Sequence, residues 1–516
     1  MQENTDVPQA PGSPDAERRR LAGLTEAGRF DEAIALCQMR LARTPNDPAA
    51  WADLAGCLFA ARRPEASLEA WTRALKLAPG HPTLLCGKAN VLRSLSRLGE
   101  AGDLLRRALA VDGASYDARF GLALMAVEAG DWTGAEDLVA PLAPRHAGLP
   151  PLTWLGARIA LGRGDFAAAR ARIAPVLADG RLGAEQRADA LLLLGDALDG
   201  LGLASDAFAA AAEAKAIQHR LYAERAAGAE GEARKLRRLG AWFAGADPAP
   251  WRAGPAETPV AGEADAHVFL LGFPRSGTTL LEQALAGHPG VVALEEAPTL
   301  AEAHDRFLTS AAGLERLVGL SADDAQAWRA QYWRTVTAQG IAAPGRLFLD
   351  KAPAGTLYLP LIARLFPRAK VLFALRDPRD VVLSCLRQAF QMNAMTYEFT
   401  RLETTAACYD ACMGMAQAYR AVLPTPVMDV RHEALVADLA GELERIAGFI
   451  GLEVVPTMLD VAATARRRNV RTPSAGQVRA GLNTEGLGRW RAYAAELEPI
   501  LPVLAPWVER FGYPAG

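Results

Sequence analysis

The chain has too little cysteine, bulk charge or uninterrupted apolar sequence to be a disulfide scaffold, a polyelectrolyte binder or a membrane protein. Its six cysteines, Cys37, Cys57, Cys86, Cys385, Cys408 and Cys412, are scattered through 516 residues and lack the density of a disulfide framework. Cys408 and Cys412 are four apart and share a helix face, but no further cysteines or paired histidines complete a zinc set, so no metal is expected. No apolar run is long enough to span a bilayer, and residues 1–14 are polar and lack a signal-peptide core. A cytoplasmic protein without membrane partners is therefore expected. The 56 basic and 59 acidic residues leave a net charge of -3, which excludes nucleic-acid binding by bulk charge. Any anion must be held by a local cluster.

The length allows about three domains at roughly 150 residues each. In the first half one offset recurs. Ala33, Ser67, Ala101, Ala135 and Ala169 are spaced by 34 residues, and so are Phe30, Pro64, Leu98, Trp132 and Phe166. Leu41, Leu75 and Leu109 keep the register, as do the turn prolines Pro45 and Pro79. Small residues recur where two helices must approach closely, and large ones where each pair packs on the next. The pattern resembles the tetratricopeptide repeat over about residues 16–224, which implies a solenoid of stacked helix pairs. Asp206 and Ala207 fit a sixth unit only if about four residues are inserted near 180–185, so the last repeats are expected to be irregular.

After residue 265 the pattern changes. Short apolar runs at 268–273, 291–294, 347–349, 371–375 and 427–430 alternate with helical stretches, which predicts an α/β domain with a mostly parallel sheet. Each run is followed at once by a charged or turn-forming group, and ligands bind beyond the carboxyl ends of such strands.

The first of these turns, Gly272-Phe273-Pro274-Arg275-Ser276-Gly277-Thr278-Thr279, has the glycine spacing of a phosphate-binding loop. Backbone N–H groups and a helix N-terminus would face an anion there. Thr278 stands where a nucleotide triphosphatase needs its lysine, which argues against a kinase. A second segment, Leu375-Arg376-Asp377-Pro378-Arg379-Asp380, ends a strand and opens a helix. Asp377 is the expected N-cap, Pro378 the first helical residue, and Ser384 lies two turns on.

Together, and in this order, the two segments resemble those of sulfotransferases that use 3′-phosphoadenosine 5′-phosphosulfate (PAPS). The likeness runs over about residues 268–513, and its nearest pattern is that of tyrosylprotein sulfotransferases and bacterial sulfotransferases fused to tetratricopeptide repeats. The resemblance implies donor binding by Arg275, Ser276, Gly277, Thr278, Thr279, Arg376, Ser384, His432, Ser474 and Arg489. It also implies catalytic roles for Glu296 as general base, for Lys351 beside the transferred group, and for Ser474. The product would be 3′-phosphoadenosine 5′-phosphate (PAP), with no metal required. Three positions depart from the pattern. Pro298 replaces an arginine near a tyrosine acceptor, His432 replaces the tyrosine of a Tyr-Glu-x-Leu-Val motif, and Arg489 stands for a lysine. Glu295, His288 and His304 are rival bases, though His288, in Gly287-His288-Pro289-Gly290, suits a turn.

The expected architecture is thus α plus α/β, a tetratricopeptide solenoid followed by a P-loop-like α/β domain. The domains are a disordered 1–15, repeats over 16–225, a linking helix and linker over 226–265, and a sulfotransferase domain over 266–516. The acceptor stays open between protein tyrosine, a glycan and a small-molecule alcohol. The solenoid could hold a protein, peptide or glycan acceptor or serve a homodimer. A nucleotide kinase and a non-catalytic scaffold are the readings from other classes.

Overall fold

The computed structural model describes residues 14–515 except 96, 147–148, 181, 229, 469–474, 480, 483 and 485. Ser474 and the first thirteen residues of the expected N-terminal tail lie outside the described residues. The chain divides into two compact units, Met1–Asp165 and Phe166–Gly516.

In the first unit helices begin at Phe30, Pro64, Leu98 and Trp132, so the column of large residues marks where the second helix of each pair starts. Three residues on, Ala33, Ser67, Ala101 and Ala135 are 0 % exposed, because a small side chain there lets the partner helix close in. Ser67 meets the cost of its buried hydroxyl by donating to Ala55 O at 2.7 Å. Trp132 lies so close to the helix Pro150–Gly162 that a Cβ on Gly162 would sit 2.4 Å from its ring. Pro45 and Pro79 fall in the turns between successive repeats.

The repeat register runs on into the second unit, where Phe166 opens a helix and Ala169 is 0 % exposed. The next such helix starts at Ala204, four residues later than a 34-residue step would put it. The last pair, Ala184–Gly200 and Ala204–Ala226, is longer than those before it. Its residues Leu198, Ala207 and Ala210 share one continuous core with the sheet that follows. The helix Glu232–Ala244 belongs to the same core through Leu236, Leu239 and Phe243, whose ring meets Tyr419 at 4.6 Å.

The sheet has five parallel strands, β1 (Ala266–Gly272), β2 (Val291–Glu295), β3 (Leu347–Lys351), β4 (Lys370–Leu375) and β5 (Val427–Arg431), in the order β2-β3-β1-β4-β5. Each expected run became a strand; the last four are longer by one or two residues, and β1 starts two residues earlier, at Ala266, and ends one short of Phe273. Alternation along β1 divides the core: Phe269 and Leu271 join the layer that includes the last repeat helices, while Val268 and Leu270 face the helix Thr278–Leu285. The connection leaving β1 runs toward β2 and the one leaving β4 toward β5, so the strand order reverses between these neighbours. That reversal opens a crevice at their carboxyl ends. Among the described residues no helix is long and apolar enough to cross a membrane, and all six cysteines are free and buried.

Candidate active site

The loop after β1 is built by backbone conformations that few side chains tolerate. At Gly272, φ is +154° and a Cβ would lie 2.7 Å from Ala374 O on β4; at Gly277, φ is +89° and a Cβ would lie 2.4 Å from His432 Nδ1. Arg275 also has positive φ, +72°, a conformation that costs a non-glycine residue about 1–3 kcal/mol and persists where the surroundings enforce it. Ser276, Thr278 and Thr279 are buried. The helix Thr278–Leu285 opens without a side-chain cap, since Gly277 has none to give. Backbone N–H groups at a helix N-terminus point outward along the axis with the positive end of the helix dipole, so this end of the helix is suited to an anion.

The two segments that the sequence singled out meet here. Arg275 Nε donates to Ser384 Oγ at 2.9 Å, and Arg376 Nη1 donates to Arg275 O at 3.2 Å. Ser384 lies on the helix Pro378–Arg387, whose N-cap is Asp377, accepting from Arg379 N at 3.0 Å, with Pro378 in its first turn. Arg376 also donates to Gly486 O. Burial pushes the Arg275 guanidinium down to about 10, and Arg376 beside it works in the same direction. His432 is pushed down to about 3 by burial and by Arg376 and Arg275, so its ring is neutral at ordinary pH. Arg376 Nε and His432 Nδ1 are buried and have no hydrogen-bond partner among the described residues. Buried cations and polar atoms left unpaired are costly unless a ligand meets them, so the donor set fits a phosphorylated group.

Beside it, β2 and β3 bring a second cluster to the same edge, with Glu295 opposite Lys351 in register. Glu296 turns off the strand with φ +50° while its N–H bonds Lys351 O at 2.8 Å. The Lys351 side chain is 0 % exposed, and its Nζ lies 2.8 Å from Glu296 Oε1, 3.2 Å from Glu295 Oε1 and 3.5 Å from Glu282 Oε2. Glu282, equally buried, also pairs with Arg468 Nη1 at 3.0 Å. Burial works against the Lys351 ammonium, yet Glu282, Glu296 and Glu295 outweigh it and hold the lysine charged. Burial raises the Glu282 carboxyl, against the pull of Lys351 and Arg468. Three carboxylates, Glu282, Glu295 and Glu296, thus surround Lys351. Of the three, Glu296 reaches solvent most, its side chain 46 % exposed against 22 % for Glu295.

The histidines are placed differently. His288 Nδ1 accepts from Gly290 N at 2.9 Å and so closes the turn. His304 Nδ1 lies 2.9 Å from Asp305 Oδ1, with its ring edge-on to Tyr358.

Several residues of the site had no local signal. Asp380 accepts from the N–H groups of Gly488 and Trp490 at 2.7 and 2.8 Å, and Arg379 stacks 3.7 Å over Trp490 while donating to Pro514 O and Ala515 O. These bonds fasten the C-terminal segment over the helix Pro378–Arg387. Arg489 donates to Asp199 through Nε at 3.2 Å and through Nη2. Glu282 was detectable only as an acid inside the apolar run Leu280-Leu281-Glu282-Gln283-Ala284-Leu285.

Known proteins match the two halves of the chain separately. Residues 267–456 match the sulfotransferase family model, and residues 24–90 and 86–150 match tetratricopeptide repeat models. An uncharacterized protein of Aquifex aeolicus is 26% identical over 253 residues, which is 46% of this chain but only 32% of that protein, so the match spans about a third of that relative. A putative protein-tyrosine sulfotransferase of Caenorhabditis briggsae is 28% identical over 257 residues, covering 48% of this chain and 88% of that one. Among solved structures, the sulfotransferase domain from the Synechococcus PCC 7002 olefin synthase is 24% identical, covering 46% of this chain and 98% of that chain with a TM-score of 0.30. The second half of this chain thus carries a sulfotransferase-family domain behind tetratricopeptide repeats.

Proposed function

We propose that this protein transfers the sulfuryl group of PAPS to an acceptor hydroxyl. The observation that carries the reading is the 2.9 Å bond from Arg275 Nε to Ser384 Oγ, which joins the loop after β1 to the helix after β4 at the point where the strand order reverses. A donor with phosphate at both ends of its ribose needs two anion sites side by side. The chain supplies them as the Arg275 to Thr279 loop and as the pair Arg376 and Ser384, with His432 and Arg489 at the margins and Ser474 assigned by resemblance alone. Thr278 in place of the P-loop lysine weighs against ATP.

PAPS supplies an activated sulfuryl group; the chain's residues bind it, orient it and manage the proton. Positioning and electrostatics dominate such in-line transfers. Lys351, held charged in a buried position, is suited to stabilise negative charge that develops as the bond to the donor breaks. Glu296 is suited to take the acceptor's hydroxyl proton, being the most exposed carboxylate on Lys351. The relatives named as protein-tyrosine sulfotransferases support protein tyrosine as the acceptor, and the repeats offer a surface for a protein or peptide. Pro298 counts against tyrosine and keeps a glycan or small-molecule alcohol as the second reading.

The test is thermal shift with PAP against ATP, followed by transfer of label from PAPS into protein, glycan and lipid fractions. Stabilisation by PAP and not by ATP is expected. No stabilisation by millimolar PAP would overturn the donor, and label confined to glycan would overturn the tyrosine acceptor.

A further inference from the structure

Asp199 lies near the end of the last repeat pair's first helix, Ala184–Gly200, far in sequence from every residue assigned above. Its carboxylate, 10 % exposed, is a hub. It accepts from Arg489 through Nε at 3.2 Å and Nη2, from Arg387 Nη2 at 2.5 Å, and from the Tyr493 hydroxyl. Four donors use the whole accepting capacity of one carboxylate. Arg387 also lies 3.4 Å from Asp196 Oδ1, one turn earlier on the same helix.

The donors come from the two segments that frame the donor site. Arg387 is three residues beyond Ser384 on one helix. Arg489 is three residues beyond Gly486, whose carbonyl takes the Arg376 guanidinium. The bonds from Gly488 N and Trp490 N to Asp380 lock the same two segments to each other. Burial works against the Arg387 guanidinium, and Asp199, Tyr493 and Asp196 together outweigh it and hold the charge. Without Asp199 two neighbouring guanidiniums would lose their shared partner, and long side chains would regain the rotamer freedom that the ion pair removes.

We infer that Asp199 is a positioning residue for donor recognition, acting from a repeat helix through Arg489 and Arg387, an inference that rests on the PAPS reading above. The last repeat pair is then part of the catalytic body, in keeping with the compact unit Phe166–Gly516 and with the core that Leu198, Ala207 and Ala210 share with the sheet. Asp199 itself touches neither donor nor acceptor. Its contribution is to fix the Nε–Nη2 edge of Arg489, so that this guanidinium and the Ser384 helix are in place before the donor arrives.

The experiment uses the full chain and PAP as the probe, with Kd from isothermal titration calorimetry for wild type, D199N, R489A and the double variant, and with KM and kcat for PAPS. D199N is expected to weaken PAP binding by about 10- to 100-fold, the range a misplaced binding group commonly costs. The loss should fall on KM for PAPS more than on kcat, D199E should recover part of it, and D199N should cost little more in the R489A background. Wild type that does not bind PAP overturns the donor reading and this inference with it. Wild type that binds, with D199N unchanged in affinity or with losses that multiply in the double variant, overturns this inference alone. If D199N does not fold, R489A and R387A decide: both binding PAP like wild type removes the two guanidiniums through which Asp199 acts, and the inference falls.

Discussion

Lys351 Nζ lies 2.8 Å from Glu296 Oε1 while its side chain is wholly excluded from solvent, so the ammonium reaches the site edge only through the carboxylates that surround it. Replacing Lys351 with Ala should lower the transfer rate by on the order of 10²-fold or more if the ammonium stabilises charge in the transition state. The same change strips Glu282 of one of its two cations, and breaking a buried pair costs about 3–5 kcal/mol. Activity at a temperature where circular dichroism shows the variant folded separates the two effects. Wild-type turnover by folded K351A would remove Lys351 from the mechanism.

Glu296 and Glu295 are adjacent in sequence and both bond Lys351, so exchanging each for Gln distinguishes base from bystander. Glu296→Gln should lower kcat by ~10² to 10⁴, the usual contribution of a positioned base, while leaving KM for PAPS close to wild type. Glu295→Gln should do far less. The reverse order in steady-state kinetics would transfer the role to Glu295.

Gly277→Ala should damage the loop rather than the chemistry. Its φ of +89° disfavours any side chain, and the new Cβ would lie 2.4 Å from His432 Nδ1, so the ring must move. Strain of this kind costs about 1–3 kcal/mol. A lower melting temperature and weaker PAP binding are expected, and Gly277→Ala combined with His432→Ala should regain part of the stability. No regain would mean that the clash with His432 is not what limits this position.

Local pattern made much of this legible. The 34-residue columns located helix starts at Phe30, Pro64, Leu98, Trp132 and Phe166, because the small and large residues that set the spacing are those that pack helix on helix. Asp377 and Pro378 announced their helix through rules that act within four residues. What the sequence hid is long-range. The partnerships of Asp199 with Arg489 and of Glu282 with Arg468 join positions 290 and 186 residues apart, and no periodicity reports them. Arg379 lies three residues beyond Arg376, yet it stacks on Trp490 and donates to the carbonyls of Pro514 and Ala515. The repeat register likewise identifies Phe166 and Ala169 without telling that they belong to the same compact unit as the sheet.

Asp350, the residue before Lys351, gives the pH dependence that follows from burial. Burial pushes its carboxyl up from 3.8 to about 6, although the hydroxyls of Tyr332 and Thr299 donate to Oδ2 at 2.6 and 3.0 Å and favour the ionised form. The folded state therefore keeps a proton that the unfolded chain releases between about pH 4 and pH 6. Over that window ionisation stabilises the unfolded state and not the folded one, so this carboxyl lowers stability as pH rises and then levels off above about 6. The full difference is about 3 kcal/mol. Asp350→Asn keeps an oxygen for both hydroxyls and cannot ionise. Denaturant titrations should find the variant gaining on wild type as pH rises from 4.5 to 6, with a constant margin from 6.5 to 8. A margin that shrinks over the same range would mean that the carboxyl is stabilised as the anion, and that the hydroxyls of Tyr332 and Thr299 outweigh its burial.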